Sequence, residues 1–246
     1  MFMLNKKILV NGCGLTFGQQ EIKGWPKILT AIGVNVIDLS GPAVSNQWIV
    51  DRTTEYLLKH NDVHAVVLQL TNVDKLDVKI DPERKSILVD TDSNRNFIWK
   101  DIWPSSVSID HPSKELYFKH LYSPELLTKE LAIKLTLLNF WCQQHDIELY
   151  IYQGYAIPWS HCDLDLVKEL ILNLDEPWGI EYKNSDFYKG HDFSNQNSVP
   201  CIEYAFWLAD RVVKKLKLPV ADRLAKIQQA YAAKYSRAYC NTVNRV

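Results

Sequence analysis

Charge of one sign is the first thing this sequence does not have. Its 28 Lys and Arg are balanced by 29 Asp and Glu, for a formal net charge of −1. Neutralising a phosphate backbone takes a clear basic excess, so a general nucleic-acid binder is excluded. Also missing is any uninterrupted apolar run of the roughly 18 residues that a membrane-spanning helix needs. Met1 to Lys7 leads straight into a strand-like segment, with no signal-peptide core and small-residue cleavage site. These absences predict a cytoplasmic protein with neither a membrane nor a nucleic acid as partner. Cysteine is sparse and odd in number, 5 residues spread from Cys13 to Cys240. That count excludes a secreted disulfide framework and fits reduced thiols. Methionine is scarcer still at 2, whereas Trp reaches 8 and Tyr 12. Internal repeats and low-complexity tracts are lacking too. What is present is ordinary for a folded chain, with 47% hydrophobic and 23% charged residues over 246 positions. Disorder is excluded, and the length allows a sizeable core.

Apolar periodicity organises the first third. Lys7 to Asn11 reads as a buried strand stopping at the turn Gly12-Cys13-Gly14. A helix follows over Trp25 to Ile32 with Gly33 as its C-cap, then a second strand over Val34 to Leu39. The turn Ser40-Gly41-Pro42 precedes a helix over Asn46 to His60, and Ala65 to Leu70 is a third strand. Continuous apolar strands alternating with helices predict an α/β fold, a three-layer α/β/α sandwich with a parallel, flavodoxin-like sheet.

The remainder predicts a single domain, 1–246, carrying one insertion and one appendage. Residues 75–119 read as an aromatic-rich insertion with polar turns and Phe97, Trp99 and Trp103. Ser123 and Pro124 then open a long helix reaching Trp141. Its apolar residues, including Leu127, Leu131, Ile133, Leu135, Leu137, Leu138 and Phe140, wrap most of the circumference, which predicts a well-buried helix. Glu148 to Gln153 is a fourth strand, and helices are expected over Asp163 to Leu174 and Ile202 to Lys217. A last helix at about 220–240 shows Leu224, Ile227, Tyr231, Tyr235 and Ala238 on one side; it could cap the domain or form a dimer contact, and the oligomeric state stays open.

Parallel α/β sheets bind ligands beyond the carboxyl ends of their strands. The first such loop, Asn11 to Gly18, holds three glycines whose N–H groups could hold an anion. Its spacing is neither the dinucleotide fingerprint, unless Asp38 served as the ribose acid, nor a Walker loop, so spacing alone gives a tight strand-to-helix turn.

Several blocks in order carry a resemblance. They are a strand running into Asn11-Gly12-Cys13, then Thr16 and Gly18; Trp25-Pro26 opening a helix; the turn Gly41-Pro42 with Ser45-Asn46; and a strand ending Gln69-Leu70-Thr71. Together they resemble the SGNH/GDSL-type hydrolases, in the subgroup whose first block reads Gly-Cys-Ser-x-Thr. The resemblance implies acyl-transfer chemistry, usually ester hydrolysis, by a Ser nucleophile, a His base held by an Asp two residues earlier, and an oxyanion hole. On this chain those triad positions read Gly14, Asn197 and Val199, followed by Pro200-Cys201. The second-block Gly reads Ala43, which still offers an N–H, and the third block, Thr71-Asn72-Val73-Asp74, leaves open whether Asn72 replaces the oxyanion Asn. A Gly forms no acyl intermediate and a Val accepts no proton.

Substitute chemistry has few carriers. Cys13 adjoins the lost nucleophile, but from a strand end one position earlier its side chain is expected to point away, as a buried thiol. Asp110-His111-Pro112-Ser113 imitates the family's last block from inside the insertion. His191-Asp192 is the best acid–base candidate, set against a solvated loop. His60 and His64 are separated by a turn, and His161, Cys162, Asp163 and Asp165 lack ligand spacing and read as a loop and helix N-cap, so no metal or cofactor is expected. The aromatics from Phe97 to Tyr122 could line a cleft by stacking or form the insertion's own core.

The expectation is therefore an SGNH-hydrolase-like pseudoenzyme binding a small ligand or a protein partner in the ancestral pocket. That pocket would be formed by Gly12, Cys13, Gly14, Thr16, Ala43, Ser45, Asn46, Thr71, Asn72, Asn197 and Val199. The alternative is an active esterase, acyltransferase or redirected enzyme with a rebuilt site, favoured by the polarity of those blocks.

Overall fold

The computed structural model describes residues 7–18, 24–41, 44–73, 76–80, 98–102, 120, 122–172 and 199–231. In chain order come β1 (Lys7–Gly12), α1 (Gly14–Phe17), α2 (Trp25–Ala31), β2 (Val36–Asp38), α3 (Asn46–Leu57) and β3 (Val63–Leu70). Then follow β4 (Leu76–Ile80), β5 (Ile98–Ile102), α4 (Pro124–Gln144), β6 (Glu148–Gln153), a 3-10 turn at Trp159–His161, α5 (Leu164–Leu170) and α6 (Val199–Lys215). Residues 221–231 form a further helix.

Four strands make a parallel sheet in the order β2-β1-β3-β6. Ile8 pairs with Val36 on one side and Ala65 on the other, and Val67 pairs with Tyr150. Alternate side chains of β1 and β3 enter two apolar clusters. Ile8, Val10, Ala65 and Val67 meet Trp25 and Leu29 of α2 and Leu208 and Val212 of α6. Leu9, Val66 and Leu68 meet Ile49 of α3 and Leu131 and Leu135 of α4. Strands covered by helices on both faces have no polar side, which is why their sequences read as unbroken apolar runs. Each such Leu, Ile or Val contributes about 1.5–3 kcal/mol by its removal from water. The fold is α/β, as the alternation predicts.

Element ends differ where tertiary pairing overrides local pattern. The second strand shortens to Val36–Asp38, although Leu39 N still donates to Val10 O at 2.8 Å. Helix α3 stops at Leu57 rather than His60, and the His60 ring stacks on Tyr56 at 4.1 Å. Helix α5 stops at Leu170 rather than Leu174, because Ile171 forms a parallel bridge with Ile151 of β6. Helix α6 starts at Val199 and ends at Lys215, and Lys217 has φ 49°.

The expectation of a well-buried α4 is corrected. Leu131, Leu135, Leu138 and Cys142 are buried, but Leu126, Ile133, Leu137 and Phe140 are 60–64% exposed. Apolar identity on every side does not create a second covering layer, and α3 and the sheet lie on only one. Of the insertion, β4 and β5 are described, paired antiparallel from Leu76–Ile102 to Ile80–Ile98, and the rest lies outside the described residues. Leu224 of the helix 221–231 and Val220 just before it join the first cluster, Tyr231 meets Phe206 edge-on at 5.4 Å, and Arg223 donates to Ile32 O at 3.3 Å. This segment caps the α2–α6 face; Tyr235 and Ala238 lie outside the described residues. No helix among the described residues is long and apolar enough to cross a membrane.

Candidate functional site

The strand order reverses between β1 and β3, so the carboxyl ends of these strands and of β6 border the crevice where such sheets bind ligands. Each of the three ends in a buried carboxamide: Asn11 is 0%, Gln69 0% and Gln153 1% exposed. A buried amide needs partners on both its ends. Asn11 has them, because Nδ2 donates to Ile49 O at 2.9 Å and Thr53 Oγ1 at 3.0 Å while Oδ1 accepts from Gly12 N at 2.8 Å. This amide fastens α3 to the end of β1. Gln153 Oε1 accepts from Trp159 Nε1 at 3.0 Å and holds the 3-10 turn.

Gln69 alternates with Val67 and so faces the α2–α6 side. Its Oε1 accepts from the hydroxyl of Thr16, itself 0% exposed, whereas its Nε2 has no hydrogen-bond partner among the described residues. Backbone closes around this pair. A Cβ on Gly12 would lie 2.9 Å from Gln69 Cβ and against the Thr16 hydroxyl, and a Cβ on Gly154 would meet the Gln69 amide. Both positions must be glycine for the Thr16–Gln69 pair to fit.

A second polar junction joins α3 to the end of β3. Asn46 Nδ2 donates to Thr71 O at 2.9 Å, and Thr71 N donates to Asn46 Oδ1 at 2.7 Å. Ser45 is the N-cap of α3, its hydroxyl accepting from Trp48 N at 3.1 Å. The Thr71 hydroxyl is buried without a partner among the described residues. Asn72, half-buried, follows at the rim.

The structure thus gathers Gly12, Cys13, Gly14, Thr16, Ser45, Asn46, Thr71 and Asn72 at one end of the sheet. Most of their polarity joins elements to each other: Thr16, Ser45 and Asn46 all bond protein groups. Cys13 is 1% exposed in the apolar cluster beneath α3, and its carbonyl accepts from Thr16 N at 2.8 Å and Phe17 N at 2.9 Å to start α1. Gly14 alone of the set is exposed, and a Cβ built on it meets no atom within 4 Å among the described residues. Tyr155, 43% exposed, stands near Cys13 on the loop after β6. Asp38 accepts from Ser40 N at 3.0 Å and closes a turn.

Ala43, His191, Asp192 and Asn197 lie outside the described residues, as do Asp110 and His111. Val199 is the first residue of α6. His60 and His64 share no helix face, since His64 is on β3, and Asp163 caps α5 by accepting from Asp165 N at 3.0 Å. Among the described residues no group of three or more His, Cys, Asp or Glu could hold a metal ion.

Asn11, Gln69, Gln153 and Gly154 are absent from the pocket expected from sequence, although Asn11 and Gln69 stand in the blocks that carry the resemblance. Their signal was available: an amide closing an apolar strand, as in KILVN, AVVLQL and ELYIYQ, is a buried polar group in need of a partner. Compared with known proteins, the chain matches no family model and no curated protein.

Proposed function

We propose that this chain is an SGNH-hydrolase-like protein without the Ser/Asp/His triad, which binds a small ligand at the ends of β1, β3 and β6 and does not hydrolyse it. The observation that carries this reading is the pair Gly14 and Cys13. The position corresponding to the family's nucleophile is exposed, has no atom of the described residues within 4 Å of where a Cβ would sit, and bears no side chain. The adjacent thiol is sealed in an apolar cluster, out of reach of a substrate in that space. Beside them, the partnerless Gln69 Nε2 and Thr71 hydroxyl add support, because a buried donor left unpaired costs about 1–3 kcal/mol and natural chains retain few of them.

Two measurements test the reading on the full chain. Short-chain p-nitrophenyl esters should be hydrolysed no faster than in buffer; turnover that disappears in Cys13→Ala or His191→Ala overturns non-catalysis in favour of the rebuilt enzyme. Crystals soaked in a metabolite mixture should show density beside Gly14, and the same soak of Gly14→Leu, whose side chain enters that space, should show none. Soaked crystals with no density there would reject the ligand site.

A further inference from the structure

Tyr155 is left half in water on a loop whose flanking residues are held fast. Gly154 N donates to Leu70 O at 2.9 Å and extends the β3–β6 pairing by one residue. On the other side, Trp159 is fixed by its bond to Gln153, and Ile157 and Trp159 are buried in the cluster beneath α3 and α4. An aromatic side chain on a braced backbone has little ordering entropy left to lose when it binds. Alternation along β6 fixes its side of the sheet. Tyr152 belongs to the first cluster, Gln153 turns to Trp159 in the second, and Gly154 backs onto the Gln69 amide. Tyr155 therefore belongs to the α3–α4 side, as Cys13 does. Because β3 lies between β1 and β6, Tyr155 comes near Cys13 by leaning across the end of β3, and Gly14 is the next residue. Burial pushes its phenol up to about 12 although 43% of the residue is open to water. A ring edge in water with its hydroxyl crowded by protein is the setting of a crevice wall, and such a hydroxyl stays a neutral donor at physiological pH.

The same end of the sheet carries no charge. Among the described residues, the segments 11–18, 39–41, 44–46, 69–73 and 153–160 contain no Asp, Glu, Lys, Arg or His. Asp38, just before the second of these, is spent on the Ser40 turn, and His161 lies near Glu125 of α4. The N-terminus of α3 does not stand in for a cation, because its Trp48 N–H is taken by the Ser45 hydroxyl. We propose that Tyr155 is the wall of the ligand site beside Gly14, and that this site selects an uncharged ligand with a planar face and an acceptor oxygen at its edge. The proposal rests on the reading of this end of the sheet as a ligand site. A charged group moved into the crevice gives up its water and meets only neutral dipoles, so either sign is disfavoured. A neutral planar group loses little, stacks on the Tyr155 ring and accepts from its hydroxyl. Its edge then lies over Gly14, where a Cβ would meet no atom of the described residues within 4 Å.

Benzamide, benzoate and benzamidine are planar, nearly equal in size and differ in charge. Titration of the full chain with each, followed by the backbone NMR signals of Gly14 and Tyr155, tests the proposal. Benzamide should shift both signals saturably, and benzoate and benzamidine should bind at least about 10-fold more weakly, the least that an uncompensated charge costs. Tyr155→Ala should retain the circular dichroism spectrum and bind benzamide about 10-fold more weakly, as loss of an aromatic contact does. Tyr155→Phe, which keeps the ring and loses the hydroxyl, should fall between. Benzoate or benzamidine binding as tightly as benzamide overturns the selection for a neutral ligand, and unchanged binding in Tyr155→Ala overturns the role of Tyr155. No shift at Gly14 with any of the three overturns the whole proposal. The ligand-site reading survives that result if the metabolite soak shows density beside Gly14, and falls with it if the soak shows none.

Discussion

Gly12 ends β1 and Gly14 opens α1 two positions later, and the residues around them give them opposite tolerances. Gly12→Ala pushes a methyl into the Thr16–Gln69 pair and should lower stability by about 1–3 kcal/mol, the usual penalty of overpacking. Gly14→Ser meets open space and should change stability by no more than about 0.5 kcal/mol. Urea denaturation of both variants checks the contrast; equal losses would show that the loop, not the packing, sets the cost. Asn46→Ala removes the amide that satisfies both Thr71 N and Thr71 O. It should cost about 2–3 kcal/mol, as buried groups left unpaired do. Thiol chemistry gives a third outcome at this scale. Burial pushes Cys142 up to about 12 and shields Cys13, so alkylation mapped by mass spectrometry should leave both unmodified in the native protein. Cys162, half-exposed and raised mainly by desolvation, should react slowly, and rapid labelling of Cys13 would restore it as a possible nucleophile.

Among the elements, α4 shows most clearly what periodicity can and cannot say. Its start was legible, since the Ser123 hydroxyl accepts from Leu126 N at 3.3 Å and Pro124 sits in the first turn. Which apolar side faces the core was not legible, because the sequence is apolar on both and only the position of α3 chooses. Leu135→Ala should therefore cost about 2–5 kcal/mol and Leu137→Ala, two residues away, under about 0.5 kcal/mol. Urea denaturation of the two variants distinguishes them. The start of β1 is tied to the turn before β3 by Lys7 and Asp62. The hydrogen bond from Lys7 holds the Asp62 carboxyl below its ordinary 3.8, and the bond raises Lys7 in turn. A depressed carboxyl stabilises the fold above its unfolded pKa, and that contribution fades as pH falls through the depressed value. An NMR titration should place Asp62 below 3.8 and return it toward that value in Lys7→Met.

For the whole molecule, the parallel sheet brings residues from distant blocks to one edge. Asn46 and Thr71 are 25 positions apart and Thr16 and Gln69 are 53, yet each pair is bonded. The resemblance to SGNH hydrolases makes a strong demand on this arrangement. Restoring Gly14→Ser, Asn197→Asp and Val199→His together should create weak esterase activity on p-nitrophenyl acetate if those positions align with the lost triad. A folded triple variant with no activity above the parent would count against the alignment, and with it the pocket assigned here.

The four parallel strands, the main helices between them and the α/β class followed from the sequence alone, because unbroken apolar runs and helical spacing are local properties of the chain, whereas β4 and β5 did not. The capping residues Ser123 and Asp163 were local as well. Tertiary structure decided which amide met which backbone group, where α3 and α5 stopped, and which side of α4 was left in water. Those outcomes depend on contacts between segments tens of residues apart, and local pattern does not encode them. It also decided the meaning of the polar blocks at the strand ends. Read in sequence they were candidates for holding a ligand; in the fold most of them hold the protein together, and among the described residues Gly14 has no neighbour where its Cβ would be and Gln69 Nε2 and the Thr71 hydroxyl have no partner.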